Sequence, residues 1–456
     1  MTTGTLSAGS VLDDRGALLA WFDRTRARSA AIFDMIEDAA YYTRPIALRH
    51  PIVFYEGHIP AFAVNVLIKK GLGRPGVDER LEQLFARGID PHSQEAAERT
   101  AEQTRALWPS RAEVKDYVAR ADALLRDALA NDVLVRDDVP VLEGGEGVFT
   151  IIEHEAMHQE TLLYMWHRLP FELKRRIGAN AGYAPRTDGV SPDRSAVRVD
   201  AGRTRLGATR GEIPFGWDNE FGPLEVDVPA FDIDTHNVTN ADWLQFIDAG
   251  GYRTETLWTP DDWAWVQAEG IAHPGFWIAR AEGYAWRGLF EAIDLPLAWP
   301  VYVTLAEARA FARWAGRALP TEPQFHRAAY GTPDAPDTPR RYPWGDGAPD
   351  ATAGHFDFAG WDPAPAGSHP AGASAWGVHD LVGNGWEWTS SPFAPFPGFA
   401  PMPSYPEYSA DFFDNDHFVM KGASPVTAAE LLRPTFRNWF RPRYPYVYAG
   451  FRTVSR

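Results

Sequence analysis

The chain has 456 residues, room for two or three domains at roughly 150 residues each, and at 45% hydrophobic and 23% charged it reads as a soluble globular protein with ample core. Lys and Arg number 44 against 61 Asp and Glu, and the formal charge of -17 excludes nucleic acid and anionic membrane surfaces as main partners, since both need clustered positive charge. Cysteine is absent, so disulfides, thiolate zinc sites, iron–sulfur clusters and cysteine nucleophiles are excluded, and any metal must rest on histidine and carboxylate.

The opening MTTGTLSAGSVLDDRG lacks the basic start and apolar core of a secretory signal. No run of eighteen or more uncharged apolar residues stands out, so the expectation is a cytoplasmic enzyme that does not cross a membrane. Helical periodicity then runs over residues 17–42, 54–70, 111–131 (after the start signal Pro109 and Ser110) and 146–168 (closed by Pro170). Four such helices on modest loops predict an up-and-down four-helix bundle. Residues 178–196, rich in Gly, Pro, Asp and Ser, read as a linker. Beyond it, 197–206 alternates as a strand should, and short apolar runs broken by Gly, Pro, Asn and Asp follow, with one clear helix over 305–315. Of the 18 tryptophans only Trp21, Trp108 and Trp166 precede residue 200, a compositional step that marks two kinds of structure. The second half is therefore expected to be a loop-rich α+β domain built on buried aromatics. There is no internal repeat, and the one biased tract is Pro/Ala-rich, at 334–339.

Chemistry concentrates in the fourth helix. His154 and His158 are four apart, so both imidazoles project from one face and can hold one divalent metal; a packed or solvated pair is the plainer alternative. Glu160 points elsewhere on the helix and suits a supporting role. A third ligand must come from another helix, with His58 in FYEGHIPAF as candidate and His50, in an Arg-His-Pro turn context, as its rival. Three neutral imidazoles suit zinc, iron(II) or copper, and spacing does not choose between them.

The segment His154-Glu-Ala-Met-His158-Gln-Glu160 resembles the HxxxHxE motif of the EgtB-type sulfoxide synthases, and Gly57-His58-Ile59 resembles their first ligand motif. In the second half Phe215-Gly-Trp-Asp-Asn-Glu220, Val238-Thr-Asn240, the stretch from Ala312 to Glu322, Gly383-Asn-Gly-Trp-Glu-Trp-Thr389 and Phe436-Arg-Asn-Trp439 are similar to further blocks of that family, in the same order. The resemblance implies a DinB-like four-helix bundle (1–180), a linker (181–197) and a formylglycine-generating-enzyme-like, C-type-lectin-like domain (198–456) lining the substrate pocket. It implies Fe(2+) on His58, His154 and His158. The small-molecule substrates it implies are hercynine (the trimethylated betaine of histidine), a chalcogen donor and O2. A trimethylammonium group donates no hydrogen bonds and is best held against aromatic faces, which makes Trp439 and Trp386 candidates, with Asn438 for the substrate carboxylate. A catalytic tyrosine is expected in PMPSYPEYSADFF, at Tyr405 or Tyr408.

Two positions depart from the ergothioneine enzymes. Met157 stands where they commonly have Gln against the hercynine imidazole, and Phe440 stands where some have an Asp that assists the amino group of γ-glutamylcysteine. An aromatic in place of a carboxylate suits the apolar face of a sugar, which points to the selenoneine synthase branch and a selenosugar donor. The alternatives are a sulfoxide synthase using cysteine or γ-glutamylcysteine, and a zinc-dependent DinB-like hydrolase or thiol transferase.

Overall fold

Helical periodicity in the first part of the chain becomes four long helices. Helix α1 (Arg15–Asp34) is capped by the Asp14 carboxylate, which accepts the Ala17 amide. It stops well short of the sequence limit at Tyr42. Past Met35 the backbone takes distant partners, the Glu37 amide donating to Leu173 and the Arg175 amide to Met35, and this exchange ends the helix. Helix α2 (Ile52–Ala63) is buried along its whole length and contains Pro60, which has no N–H for the carbonyl of Glu56. It runs on as a π-helix, Val64–Gly71, closed by the Leu72 amide on the Leu67 carbonyl five residues back. Ile52–Gly71 carries Glu56, Lys69 and Lys70 and is still long and apolar enough by length and composition for a membrane crossing; most of it is buried inside the protein.

A short helix α3 (Glu79–Leu84) follows, capped by Asp78. Helix α4 (Arg111–Asn131) begins where the Ser110 hydroxyl accepts the Glu113 amide, and α5 (Glu146–Arg168) begins after Gly145, held at a φ of 77°. Both keep their sequence bounds. Helix α1 lies against α4 and α5, and α2 lies against the same two.

The computed structural model describes residues 12–86, 105–178, 181–333 and 340–455. The Pro/Ala-rich tract at 334–339 and most of the N-terminal stretch fall outside them. Tertiary contacts divide the chain into a helical unit (Met1–Gly182 with Ile213–Phe215 and Pro401–Pro406) and a second unit comprising Tyr183–Glu212, Gly216–Ala400 and Glu407–Arg456. Two short pieces that the sequence assigns to the second domain thus pack with the helices. Pro401–Pro406 is tied there by the Ser404 amide on Glu146, by Ser404 to Thr150, and by the Lys70 ammonium on the Pro403 carbonyl.

In the second unit the expected strand over 197–206 is two strands. β1 (Ala196–Val199) pairs antiparallel with β4 (Phe231–Asp234), and β2 (Gly202–Leu206) pairs antiparallel with β3 (Leu224–Val228). The break between them is set from far along the chain, because the Arg327 guanidinium takes the carbonyls of Asp200 and Ala201. Helices α6 (Asn240–Asp248) and α7 (Pro260–Glu269) precede an antiparallel sheet of β5 (Trp277–Ala279), β6 (Tyr284–Arg287) and β7 (Ala292–Asp294). Helix α8 (Leu305–Trp314) begins with a reciprocal cap between Thr304 and Glu307, and α9 (Glu322–Tyr330) with one between Thr321 and Gln324. The last sheet has the order β10 (Asn438–Phe440), β9 (Phe418–Ala423), β8 (Gly385–Pro392), β11 (Ala449–Gly450), with only β11 parallel to its neighbour. Phe325, Ala328 and Ala329 of α9 pack with Val199, Val228, Ile233 and Leu381 in an apolar core. Two buried ion pairs stand out: both nitrogens of a two-point Arg452–Glu387 bridge sit at 2.6 and 2.7 Å from the carboxylate, and Arg437 meets Glu322 in the same way.

Candidate metal centre

Helix α5 places His154 and His158 one turn apart, and their Nε2 atoms approach to 3.1 Å. Helix α2 brings His58 opposite, with ring centroids 5.1 Å from His154 and 5.0 Å from His158. One nitrogen from each of the three rings lies within 4.8 Å of the others. This donor set fits a metal. With metal–nitrogen bonds of about 2.1 Å, ligands at right angles are about 3.0 Å apart and tetrahedral ligands about 3.4 Å apart. The 3.1 Å gap is within the range that two nitrogens on one metal ion span, and three imidazoles suit zinc, iron(II) or copper. Without a metal the two nitrogens could share only one proton across that gap.

Neutral rings are needed for ligation, and burial supplies them. Desolvation pushes His58 down to about 4, against an opposing pull from its hydrogen bond to Phe85. His154 and His158 lie well below the ordinary histidine value, first from burial and then because a proton on one ring would be repelled by one on the next, with Arg49 adding to this at His158. The His58 Nδ1 donates to the Phe85 carbonyl at 2.7 Å, which leaves Nε2 as the lone-pair atom. Among the described residues the Nδ1 atoms of His154 and His158 are buried with no hydrogen-bond partner.

Aromatics from α2 wall the three rings. Phe54 and Phe62 flank His58 at four residues either side, Phe54 stacking on it at 4.9 Å. Phe62 stacks on His154 at 3.6 Å, and Tyr55 meets His158 at 5.7 Å. Phe54 and Phe62 are the two ends of FYEGHIPAF, the aromatic and apolar surroundings of His58 in the sequence. His50, the rival ligand, lies outside the cluster and stacks on Phe54 at 4.2 Å. Glu160 is buried and is not among the converging ligand atoms. Met157 sits half-buried on α5 between the two histidines.

The two tyrosines part company. Tyr405 is in the helical unit, with its ring 5.1 Å from Phe62 and 6.1 Å from His154. Tyr408 is in the second unit, stacked on Trp217 at 4.0 Å and edge-on to Trp439 at 5.2 Å. Trp439 is half-buried, lying flat on Phe393 at 4.1 Å with Phe412 alongside. Asn438 precedes it on β10, its Oδ1 accepting the Trp439 amide. Phe440 stacks on Tyr444 at 5.0 Å, and Tyr446 meets that ring edge-on. Trp386 requires a correction: it is buried at 2% exposure and packs on Phe436, so its ring offers no open face to a cation. Its burial follows from the second position of β8, between β9 and β11.

Comparison with known proteins gives the same two halves. A model of the DinB superfamily matches residues 22–162, and a sulfatase-modifying factor enzyme 1-like domain matches residues 181–456. The chain is 35% identical over 454 residues to a hercynine oxygenase of Mycolicibacterium thermoresistibile, covering 97% of this chain and 96% of that protein. It is 36% identical over 436 residues to a hercynine oxygenase of Mycobacterium tuberculosis, covering 94% and 96%. With ergothioneine biosynthesis protein 1 of Neurospora crassa it shares 27% identity over 539 residues, covering 98% of this chain and 58% of that protein. The chain therefore belongs to the EgtB-type enzyme family of the hercynine oxygenases, with a DinB-like helical domain followed by a sulfatase-modifying-factor-like domain.

Proposed function

We propose that the protein joins a chalcogen donor to the imidazole carbon of hercynine in an oxidation that uses iron(II) and dioxygen, and that the donor is a selenosugar. The observation that carries the coupling is the convergence of three neutral imidazoles, within 4.8 Å, in a chain similar along its length to hercynine oxygenases. When bound, iron(II) supplies oxygen activation and a cationic seat for an anionic selenolate or thiolate. His58, His154 and His158 hold it, and Phe54 and Phe62 keep water from the ring faces. Tyr405, the tyrosine nearer to His154, is the residue we assign as proton donor through its Oη. Trp439 offers an aromatic face to the trimethylammonium group, and the Asn438 Nδ2, free of the bond its Oδ1 makes, donates to the carboxylate. The same reading makes the helical unit a four-helix bundle, for which the support is that α1 and α2 each lie against α4 and α5, and makes the second unit C-type-lectin-like.

The selenosugar assignment rests on Phe440. Its stacking on Tyr444 forms an apolar ledge suited to a sugar face, at a position where a carboxylate would pair the α-ammonium of γ-glutamylcysteine. A thiol donor is the second reading, favoured by the similarity to ergothioneine biosynthesis protein 1 of Neurospora crassa. Incubating ferrous-loaded protein with hercynine, oxygen and either a selenosugar, γ-glutamylcysteine or cysteine, with products identified by mass, separates them. A selenium-bearing hercynine adduct in excess supports the proposal; faster conversion of either thiol overturns the donor assignment, and no conversion of hercynine with any donor overturns the whole.

A further inference from the structure

We propose that Gly57 is a positioning residue for the metal centre: its missing side chain clears the space on α2 that the Phe85 ring takes up, so that the Phe85 carbonyl can reach the Nδ1 of His58. The inference rests on the metal-site reading above. A Cβ on residue 57 would fall 2.3 to 2.5 Å from three carbons of the Phe85 ring, a separation that side chains do not tolerate. Glycine is otherwise unfavourable in a helix interior, so its presence in the middle of α2 calls for such a close approach.

Aromatic rings surround that of Phe85 on several sides. Trp108 lies parallel to it at 6.1 Å, Tyr117 at 6.4 Å, and Phe54 meets it edge-on at 6.3 Å. The far side of α3 is fixed as well. The Asn65 side chain donates to the Glu82 carbonyl at 3.3 Å, and the buried Glu82 carboxylate accepts from the amides of Val77 and Asp78 and from Lys69. Phe85 caps the C-terminus of α3, where carbonyls have no donor within the helix, so its oxygen is available to His58. The 2.7 Å bond is buried on both sides and sets the tautomer, with the proton on Nδ1 and the lone pair on Nε2. Any side chain at residue 57 would lift the ring, withdraw the carbonyl and free the imidazole to turn.

The test uses the backbone origin of the acceptor, since Phe85→Leu removes the ring edge but keeps the carbonyl. Ferrous-ion affinity of the full chain is measured by chelator competition for wild type, Gly57→Ala, Phe85→Leu and the double variant. Nitrogen-15 spectra of the metal-free histidine rings report the His58 tautomer. Gly57→Ala should bind about 10- to 100-fold more weakly, the usual loss when the partner of a ligating histidine is disturbed, and should lose the single Nδ1–H form. Phe85→Leu should stay near wild type, and the double variant should recover most of the affinity. A folded Gly57→Ala protein with wild-type affinity overturns the proposal, as does a folded double variant no better than Gly57→Ala. If Gly57→Ala does not fold, the double variant decides alone, near-wild-type affinity supporting the role and weak affinity overturning it. Wild type that binds no ferrous ion while His58 stays in the Nδ1–H form overturns the metal reading itself.

Discussion

The ring of Phe62 lies nearly flat on that of His154, with centroids 3.6 Å apart and planes 13° from parallel, and it also meets the edge of Tyr405 at 5.1 Å. One side chain of α2 thus braces a ligand from α5 and a tyrosine from the 401–406 segment. Phe62→Leu keeps apolar bulk and removes the flat face. Aromatic stacking adds about 0.5–1.5 kcal/mol beyond burial, so ferrous affinity is expected to fall by up to about tenfold. Chelator competition measures it, and unchanged affinity would mark the ring as packing alone.

Tyr405 and Tyr408 are three residues apart, yet only Tyr405 packs beside the histidines. Removing a proton-transfer group costs about 10²- to 10⁴-fold in rate. Tyr405→Phe is expected to slow single-turnover product formation by an amount in that range, with substrate affinities little changed. Tyr408→Phe should stay within a few-fold of wild type. Equal losses in the two variants would remove the assignment.

The Phe440 ledge bears on the donor. Phe440→Asp places a carboxylate where an aromatic ring now stacks on Tyr444. The variant is expected to use a selenosugar less well and γ-glutamylcysteine better, seen as a crossing of the two kcat/KM values in paired assays. Unaltered kinetics with both donors would take Phe440 out of the site.

Acid should destabilise the second unit. Burial holds His326 on α9 neutral, pushing it down to about 3, and holds His355 down to about 4, against an ordinary value of 6.5. Below pH 6.5 the unfolded chain takes up protons that the folded chain refuses, so stability falls as pH drops through this window towards 4 and 3. Each such proton contributes a slope of about 1.4 kcal/mol per pH unit. His326→Gln should therefore have a shallower dependence of unfolding free energy on pH between 6 and 4, by roughly one proton, in denaturant titrations. An equal slope in the variant would show that His326 titrates normally.

The sequence was most legible where structure is local. Ser110 and the amphipathic run after it defined α4, and the four-residue spacing of His154 and His158 survived intact because helix geometry alone puts them on one face. Legibility ended where a distant residue decides. Helix α1 stops at Asp34 because Leu173 and Arg175 claim the next backbone groups, and Arg327 splits the strand at Asp200. The same limit hid the Phe85 carbonyl, since a main-chain acceptor has no residue type to read. Tyr405 could not be separated from Tyr408 because its place depends on Ser404 reaching Glu146 and Thr150, more than 250 residues earlier.

The central claim is that His58, His154 and His158 share one ferrous ion. Iron absorption spectroscopy on the reconstituted protein, with metal content measured alongside for the three single alanine variants, tests it most directly. The account expects one iron per chain with three imidazole nitrogens bound, and loss of that iron in each of His58→Ala, His154→Ala and His158→Ala while the second unit stays folded. Full iron occupancy in any one folded variant, or fewer than three imidazoles on the wild-type iron, would contradict it.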